Sequence, residues 1–227
     1  MKGLNGGFNM ETRFAFYITG RSGRLMKFLE RCGKSQLSMV KLVFSDEEVP
    51  EELKNRIESL NIPLIVFPYK NLQGSVQEKR IAFSDRLCKE LLYYNVDYCF
   101  SFGGHILAGD ILSTYKNKII NFHPAILPMY PGCRAIDQAV SHGNTLLVGN
   151  TAHFVDAGTD TGPIIMQSVT CLKRFLDTSD YDIVLDLQLD MLYKLIDLFN
   201  SGRITVEDNK VLIEGADYNI SHCYPLV

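Results

Sequence analysis

The chain has 227 residues, of which 46% are hydrophobic and 22% charged, with a formal charge of −3. That is the balance of an ordinary globular enzyme large enough to bury a core without staples, and it offers no basic field for a nucleic-acid backbone. No apolar run approaches the length that crosses a bilayer. The six cysteines are scattered without a CxxC pair, which points to reduced thiols in a cytoplasmic protein, with no disulfide frame and no metal.

Residues 1–12 read as a disordered leader, with no secretory apolar segment and with Met10 as an alternative start. The remaining 13–227 read as one domain. "RFAFYITG" (13–20) is a β-rich run ending in glycine, and "RLMKFLERC" has the apolar spacing of a helix. A strand over 38–46, a helix through "PEELKNRIESLN" and a strand over 62–68 follow. Next come a helix over 77–94, a strand over 96–104 closed by two glycines, and the strand "KIINFHP". Strands alternating with helices predict an α/β fold with a mostly parallel sheet. Beyond Gly132, "CRAIDQAVSHG" reads as a helix, and two strand-like runs flank a Gly/Asp/Thr-rich loop. The stretch 179–200 reads as one amphipathic helix ending at Gly202, and "ITVEDNKVLIEG" as a hairpin turning at Asp208 and Asn209. That hairpin and the tail "YNISHCYPLV" suit either a homodimer contact or a packed terminus.

Two places carry chemistry. In "ITGRSGRL" a glycine turn joins the first strand to the first helix, a geometry that presents backbone N–H groups to a phosphate. Arg21 and Arg24 flank it and suit an anion; the spacing fits neither a Walker loop nor GxGxxG. In "INFHPAILPMYPG" Asn121 and His123 lie two apart and so share one face of a strand. Pro124 ends that strand, placing the pair at its carboxyl end, where open α/β sheets hold ligands. An amide donor beside an imidazole suits a carbonyl oxygen gaining negative charge. Such a histidine calls for a carboxylate, and "HFVDAGTDTGPII" supplies Asp160 or Asp156.

Together "NFHPAILPMYPG" and "HFVDAGTDTGPII" resemble the folate-dependent formyltransferases, through Asn121, His123, Pro124, Leu127, Pro128, Tyr130 and Gly132, then His153, Phe154, Val155, Asp160, Gly162 and Pro163. The resemblance implies a single Rossmann-like formyltransferase domain with a C-terminal helix and hairpin. It implies transfer of a formyl group from 10-formyltetrahydrofolate, as co-substrate, to an amine, with Asn121, His123 and Asp160 catalytic. Asn121 and His123 would stabilise the oxyanion formed at the formyl carbon. Asp160 would keep His123 charged and help carry a proton to the folate leaving group. The folate would lie against Gly104, His105, Ile106 and Leu107 and against the loop with Val155, Asp156 and Asp160.

The acceptor would be a small phosphorylated molecule held by Gly20, Arg21, Ser22, Gly23, Arg24, Pro124 and Gln188. Compared with the glycinamide ribonucleotide enzymes of purine biosynthesis, this chain differs in the glycine loop. It also differs around Gln188, in "LQLDMLYKLI". These departures favour a nucleotide-linked amino sugar, such as those of bacterial O-antigens, with glycinamide ribonucleotide as the alternative. A formyltetrahydrofolate hydrolase and a noncatalytic folate- or nucleotide-binding protein are the remaining readings.

Overall fold

The computed structural model describes residues 11–142, 145–178 and 182–219. Residues 1–10 and the tail 220–227 lie outside the described residues, and with them most of the expected leader, Met10 and most of the terminal tail. Thr12 already belongs to the fold, its N–H donating to Asn200 Oδ1 at 3.1 Å.

Five parallel strands form the first part of the sheet: β1 (Phe14–Ile18), β2 (Val40–Ser45), β3 (Leu64–Val66), β4 (Tyr98–Phe102) and β5 (Ile119–His123). Antiparallel β6 (Leu147–Phe154) pairs with β5, and β7 (Ile164–Cys171) closes the edge, giving the order β3-β2-β1-β4-β5-β6-β7. Only β6 runs against the rest, so the sheet is mostly parallel as expected.

The period-2 alternation of strand side chains divides the core between two faces. Phe14, Phe16 and Ile18 of β1 join Phe100, Phe102, Phe122 and Phe154 on one face. There they meet α1 (Gly23–Arg31), α3 (Glu51–Ser59) and α8 (Asp182–Asn200). Ala15 and Tyr17 point the other way, toward Phe83, Leu87 and Leu91 of α4 (Val76–Tyr93) and Ile111 of the short α5 (Ile111–Thr114). α4 starts at a capping box in which Glu78 N–H donates to Ser75 Oγ and Ser75 N–H donates to Glu78 Oε2 at 2.8 Å. The apolar stripe of the C-terminal helix packs Leu189, Leu192, Leu195, Ile196 and Phe199 onto the sheet. Helix α6 (Ala135–His142) and the hairpin of β8 (Ile204–Glu207) and β9 (Lys210–Ile213) complete the expected elements. Asp208 and Asn209 adopt positive φ at the hairpin turn, as a two-residue primed turn requires.

Three helices depart from the sequence reading. α2 (Lys34–Met39) occupies the residues just before β2, so that strand begins at Val40 rather than Ser38. α5 and α7 (Leu172–Thr178) were not separable from their neighbours by periodicity, because elements of one or two turns show too few repeats of the 3.6-residue period. No described helix is long and apolar enough to cross a membrane.

Candidate active site

Asn121 and His123 emerge at the C-terminal end of β5 on the face shared with Ile119, as the period of two requires. Antiparallel pairing sets Asn121 directly opposite His153, and His123 opposite Thr151. Residues opposite one another on neighbouring strands point to the same side, so the second histidine reaches the site through strand register alone. Asn121 Nδ2 lies 3.2 Å from His153 Nε2.

Asp160 arrives from the loop between β6 and β7, in a left-handed backbone conformation of φ 55° that Asp tolerates better than most residues. Its Oδ2 accepts the Gly132 N–H at 2.7 Å and stands 3.3 Å from His123 Nδ1. Its Oδ1 stands 3.5 Å from His153 Nε2. Contact with His153, the Gly132 N–H and the nearby charge of His123 outweigh burial and hold the Asp160 carboxyl at about 2, below the usual range. Of the two aspartates left open by the sequence, Asp160 is the partner. Asp156 turns back on its own loop, accepting from Gly158 N–H and Thr161 Oγ1.

Tautomers follow from partners. Tyr130 O lies 2.7 Å from His123 Nε2, and a carbonyl only accepts, so Nε2 carries a proton. Nδ1 faces an ionised carboxylate, which also only accepts. Tyr130 and Gly132 both adopt positive φ, which aims the Tyr130 carbonyl back at His123. Nε2–H is thereby committed to that carbonyl and is not a free donor toward the cleft. His153 Nδ1–H donates to Phe154 O at 2.9 Å. Its Nε2 then accepts from Asn121 Nδ2.

These side chains line a cleft of about 250 Å³. Ser101, in register with Asn121 on β4, and Cys133 also line it. The segment Gly103 to Leu107 and residues of the loop Val155 to Asp160 complete the lining. Gly103 cannot carry a side chain, since a Cβ there would stand 2.0 Å from the Tyr17 ring. Sequence reasoning left His153, Ser101 and the supporting Thr151 without a role. Thr151 Oγ1 accepts Leu127 N–H and donates to Ala125 O, holding the loop after His123. The signal for His153 and Thr151 was present as polar residues alternating along an apolar strand.

The family model described as "Formyl transferase" matches residues 12–182. The chain belongs to the formyl transferase family. Phosphoribosylglycinamide formyltransferase of Bacillus subtilis is 31% identical over 156 residues, covering 68% of this chain and 77% of its own. Formyltetrahydrofolate deformylase of Haemophilus influenzae is 28% identical over 168 residues, and the match spans 72% of this chain but 57% of the deformylase. The crystal structure of glycinamide ribonucleotide transformylase 1 from Symbiobacterium toebii superposes with a TM-score of 0.76 at 27% identity, covering 93% of this chain and 98% of that one.

The family uses 10-formyltetrahydrofolate, and the cleft fits a flat heterocycle. Leu107 and Val155 present apolar walls, Ile106 is 42% exposed at the mouth, and the side-chain-free Gly103 and Gly104 leave backbone accessible. His105 stacks on Tyr69 with ring centroids 3.6 Å apart. Among the described residues no group of three His, Cys, Asp or Glu side chains is placed to hold a metal ion.

The residues expected to hold the acceptor are more dispersed. The glycine loop lies at the C-terminal end of β1, outside the cleft lining, with Arg21 exposed and the Ser22 Oγ buried without a hydrogen-bond partner. Arg24 and Gln188 do meet: Nη1 donates to Gln188 Oε1 at 3.0 Å, and Gln188 Nε2 donates to Asn150 Oδ1 at 2.7 Å. Pro124 lines a separate small apolar cavity with Met129 and Ala139.

Proposed function

We propose that this chain transfers the formyl group of 10-formyltetrahydrofolate to a primary amine of a small phosphorylated acceptor. The observation that carries the reading is the convergence of Asn121, His123, His153 and Asp160 at one end of one cleft. Bound there, the folate supplies the formyl carbon and the nitrogen that leaves with a proton. Asn121, with one amide hydrogen engaged by His153, has a second to donate to the formyl oxygen as its charge grows. His123, held between the Tyr130 carbonyl and Asp160, stands beside that oxygen. Asp160, held ionised between two imidazoles, orients the water through which the proton released by the attacking amine passes to the leaving nitrogen. His153 Nε2 is a second place for that proton to rest.

Among acceptors, phosphoribosylglycinamide is the first reading, because relatives matching most of the chain carry that name. It displaces the amino sugar favoured by the sequence to second place. A nucleotide-linked amino sugar stays second on the altered glycine loop, and on either reading Arg24 suits the acceptor's phosphate. Among the described residues its guanidinium contacts only neutral groups, namely Gln188, the Phe102 carbonyl and the Phe102 ring at 4.4 Å. No carboxylate stands within ion-pair distance among the described residues, and burial lowers its pKa to about 10. Such a cation suits an anion on the ligand.

Turnover of 10-formyltetrahydrofolate, followed by absorbance, is the test. It is run with phosphoribosylglycinamide, with a panel of nucleotide-linked amino sugars, and with no amine. Turnover with one amine class identifies the acceptor. Formate release without amine would replace transfer by hydrolysis, and no turnover in any arm would overturn the reading.

A further inference from the structure

Asp46 follows β2, about where dinucleotide folds place the acid that takes a ribose hydroxyl. Here it cannot serve a ligand in that way. It is fully buried, and its Oδ2 already accepts from two hydroxyls, Tyr17 Oη at 2.7 Å and Thr19 Oγ1 at 2.8 Å. Its Oδ1 is buried without a hydrogen-bond partner. A buried carboxylate without a cation bonded to it is costly to keep, and the nearest imidazole nitrogen, His105 Nε2, is 3.8 Å away.

Each of the two hydroxyls also accepts a backbone N–H from the wall of the cleft. Gly104 N–H donates to Thr19 Oγ1 at 2.7 Å, and His105 N–H donates to Tyr17 Oη at 3.2 Å. Two successive amides thus run through two hydroxyls to a single carboxylate oxygen. The neighbouring Gly103 rests on the Tyr17 ring so closely that no side chain fits between them. Tyr17 keeps its proton, since burial and then the adjacent Asp46 charge push its phenol well above the usual range. Thr19 is at the same time the residue before Gly20, so this polar cluster reaches from the cleft wall to the glycine loop.

We infer that Asp46 is a positioning residue which, through Tyr17 and Thr19, fixes the backbone of Gly104 and His105 as the folate-binding wall and ties that wall to the glycine loop. Hydroxyls held by a charged acceptor are firmly oriented, and each offers the wall amide a lone pair at a fixed position. The inference rests on the reading of this segment as the folate wall.

The test is the Kd of 10-formyltetrahydrofolate, by calorimetry, for the wild type, Tyr17→Phe, Thr19→Val, Thr19→Ser and Asp46→Asn, with urea unfolding of each. Tyr17→Phe and Thr19→Val each keep the side-chain shape and release one wall amide, and each is expected to weaken binding about tenfold. Thr19→Ser restores the hydroxyl and is expected within about twofold of the wild type. Asp46→Asn keeps one acceptor oxygen without the charge and is expected about three- to fivefold weaker, a second measure should Thr19→Val not fold. Unchanged affinity in folded Tyr17→Phe, Thr19→Val and Asp46→Asn would overturn the inference while leaving the formyltransferase reading intact. Equal losses in Thr19→Val and Thr19→Ser would also overturn it, because loss of packing rather than of the hydroxyl would then be the cause. Failure of the wild type to bind would overturn the folate reading and this inference with it.

Discussion

His123 Nδ1 stands 3.3 Å from Asp160 Oδ2, while the other nitrogen of the same ring is committed to the Tyr130 carbonyl. The ring is therefore held in place from both sides, and in the proposed mechanism the carboxylate that holds it also guides the proton. Asp160→Asn keeps an oxygen for the Gly132 N–H but removes the charge. Formyl transfer is expected to fall by about 10²–10⁴-fold, the usual worth of a positioned acid or base. Single-turnover rates at saturating folate, with urea unfolding as the control for folding, check this.

The same carboxylate makes a pH-dependent contribution to stability. Its folded pKa of about 2 lies below the ordinary aspartate value of 3.8, so the unfolded chain binds the proton more tightly. Stability from this group is fully present above about pH 4 and is lost as pH falls through about 2. The contribution above that window is ~2 kcal/mol at most. Urea midpoints of the wild type and Asp160→Asn should differ at pH 6 and converge toward pH 2; a constant difference would mean that the charge is not the cause.

In the proposed mechanism Asn121 acts through an amide that His153 orients but does not exhaust. Asn121→Ala is expected to lower kcat by about 10²–10³-fold with little change in folate Kd, as for loss of one donor to a developing oxyanion. His153→Phe leaves the Asn121 amide unheld and removes one of the contacts that keep the Asp160 pKa low. A fall of about tenfold to a hundredfold in kcat is expected, and a rise in the apparent pKa of the acidic limb of the pH–rate profile should accompany it.

Much of this was written in the sequence. The alternation of β1, with Phe14, Phe16 and Ile18 against Ala15 and Tyr17, announces a strand covered on both faces. The spacing of Asn121 and His123, with Pro124 after them, announces a pair at a strand end. What one strand could not reveal was its neighbour. His153 enters the site only because β6 pairs with β5 in the register that sets it opposite Asn121, and Asp46 meets Tyr17 and Thr19 only because β2 lies beside β1. Register is a tertiary property, set by packing across the sheet. The double glycine of "FGGH" was legible as a strand terminus, but its cause, the Tyr17 ring, was not. The acceptor residues were the least legible, because Arg24 and Gln188 come from helices far apart in the chain and meet only after α1 and α8 have packed. Lys27 and Arg31 secure that packing through Asp186.

Arg24→Met tests the acceptor side. Methionine fills much of the same apolar space over Phe102 and removes the charge, leaving Gln188 without one donor. If the acceptor's anion engages Arg24, its KM should rise about ten- to a hundredfold, with the folate KM unchanged. An unchanged acceptor KM would place that anion elsewhere.

Gly162→Ala tests how closely the catalytic loop is determined. A Cβ at Gly162 would stand 1.8 Å from the Phe154 carbonyl oxygen, an impossible approach whose relief must come from backbone, not from a flexible side chain. The next residue, Pro163, accepts the Phe154 N–H at 2.9 Å, so the strain falls on the crossing that launches the loop carrying Asp160. A shift of a few tenths of an ångström there lengthens the contacts of Asp160 with His123 and His153, both already at 3.3–3.5 Å. Stability is expected to fall by about 1–3 kcal/mol, the usual cost of overpacking. The rate should fall further than stability explains, by about 10²-fold, because displacement of a catalytic group by a fraction of an ångström to one ångström carries that penalty. Urea unfolding and single-turnover kinetics on the same preparation separate the two. Loss of stability with an undiminished rate would mean that the loop absorbs the strain before it reaches Asp160.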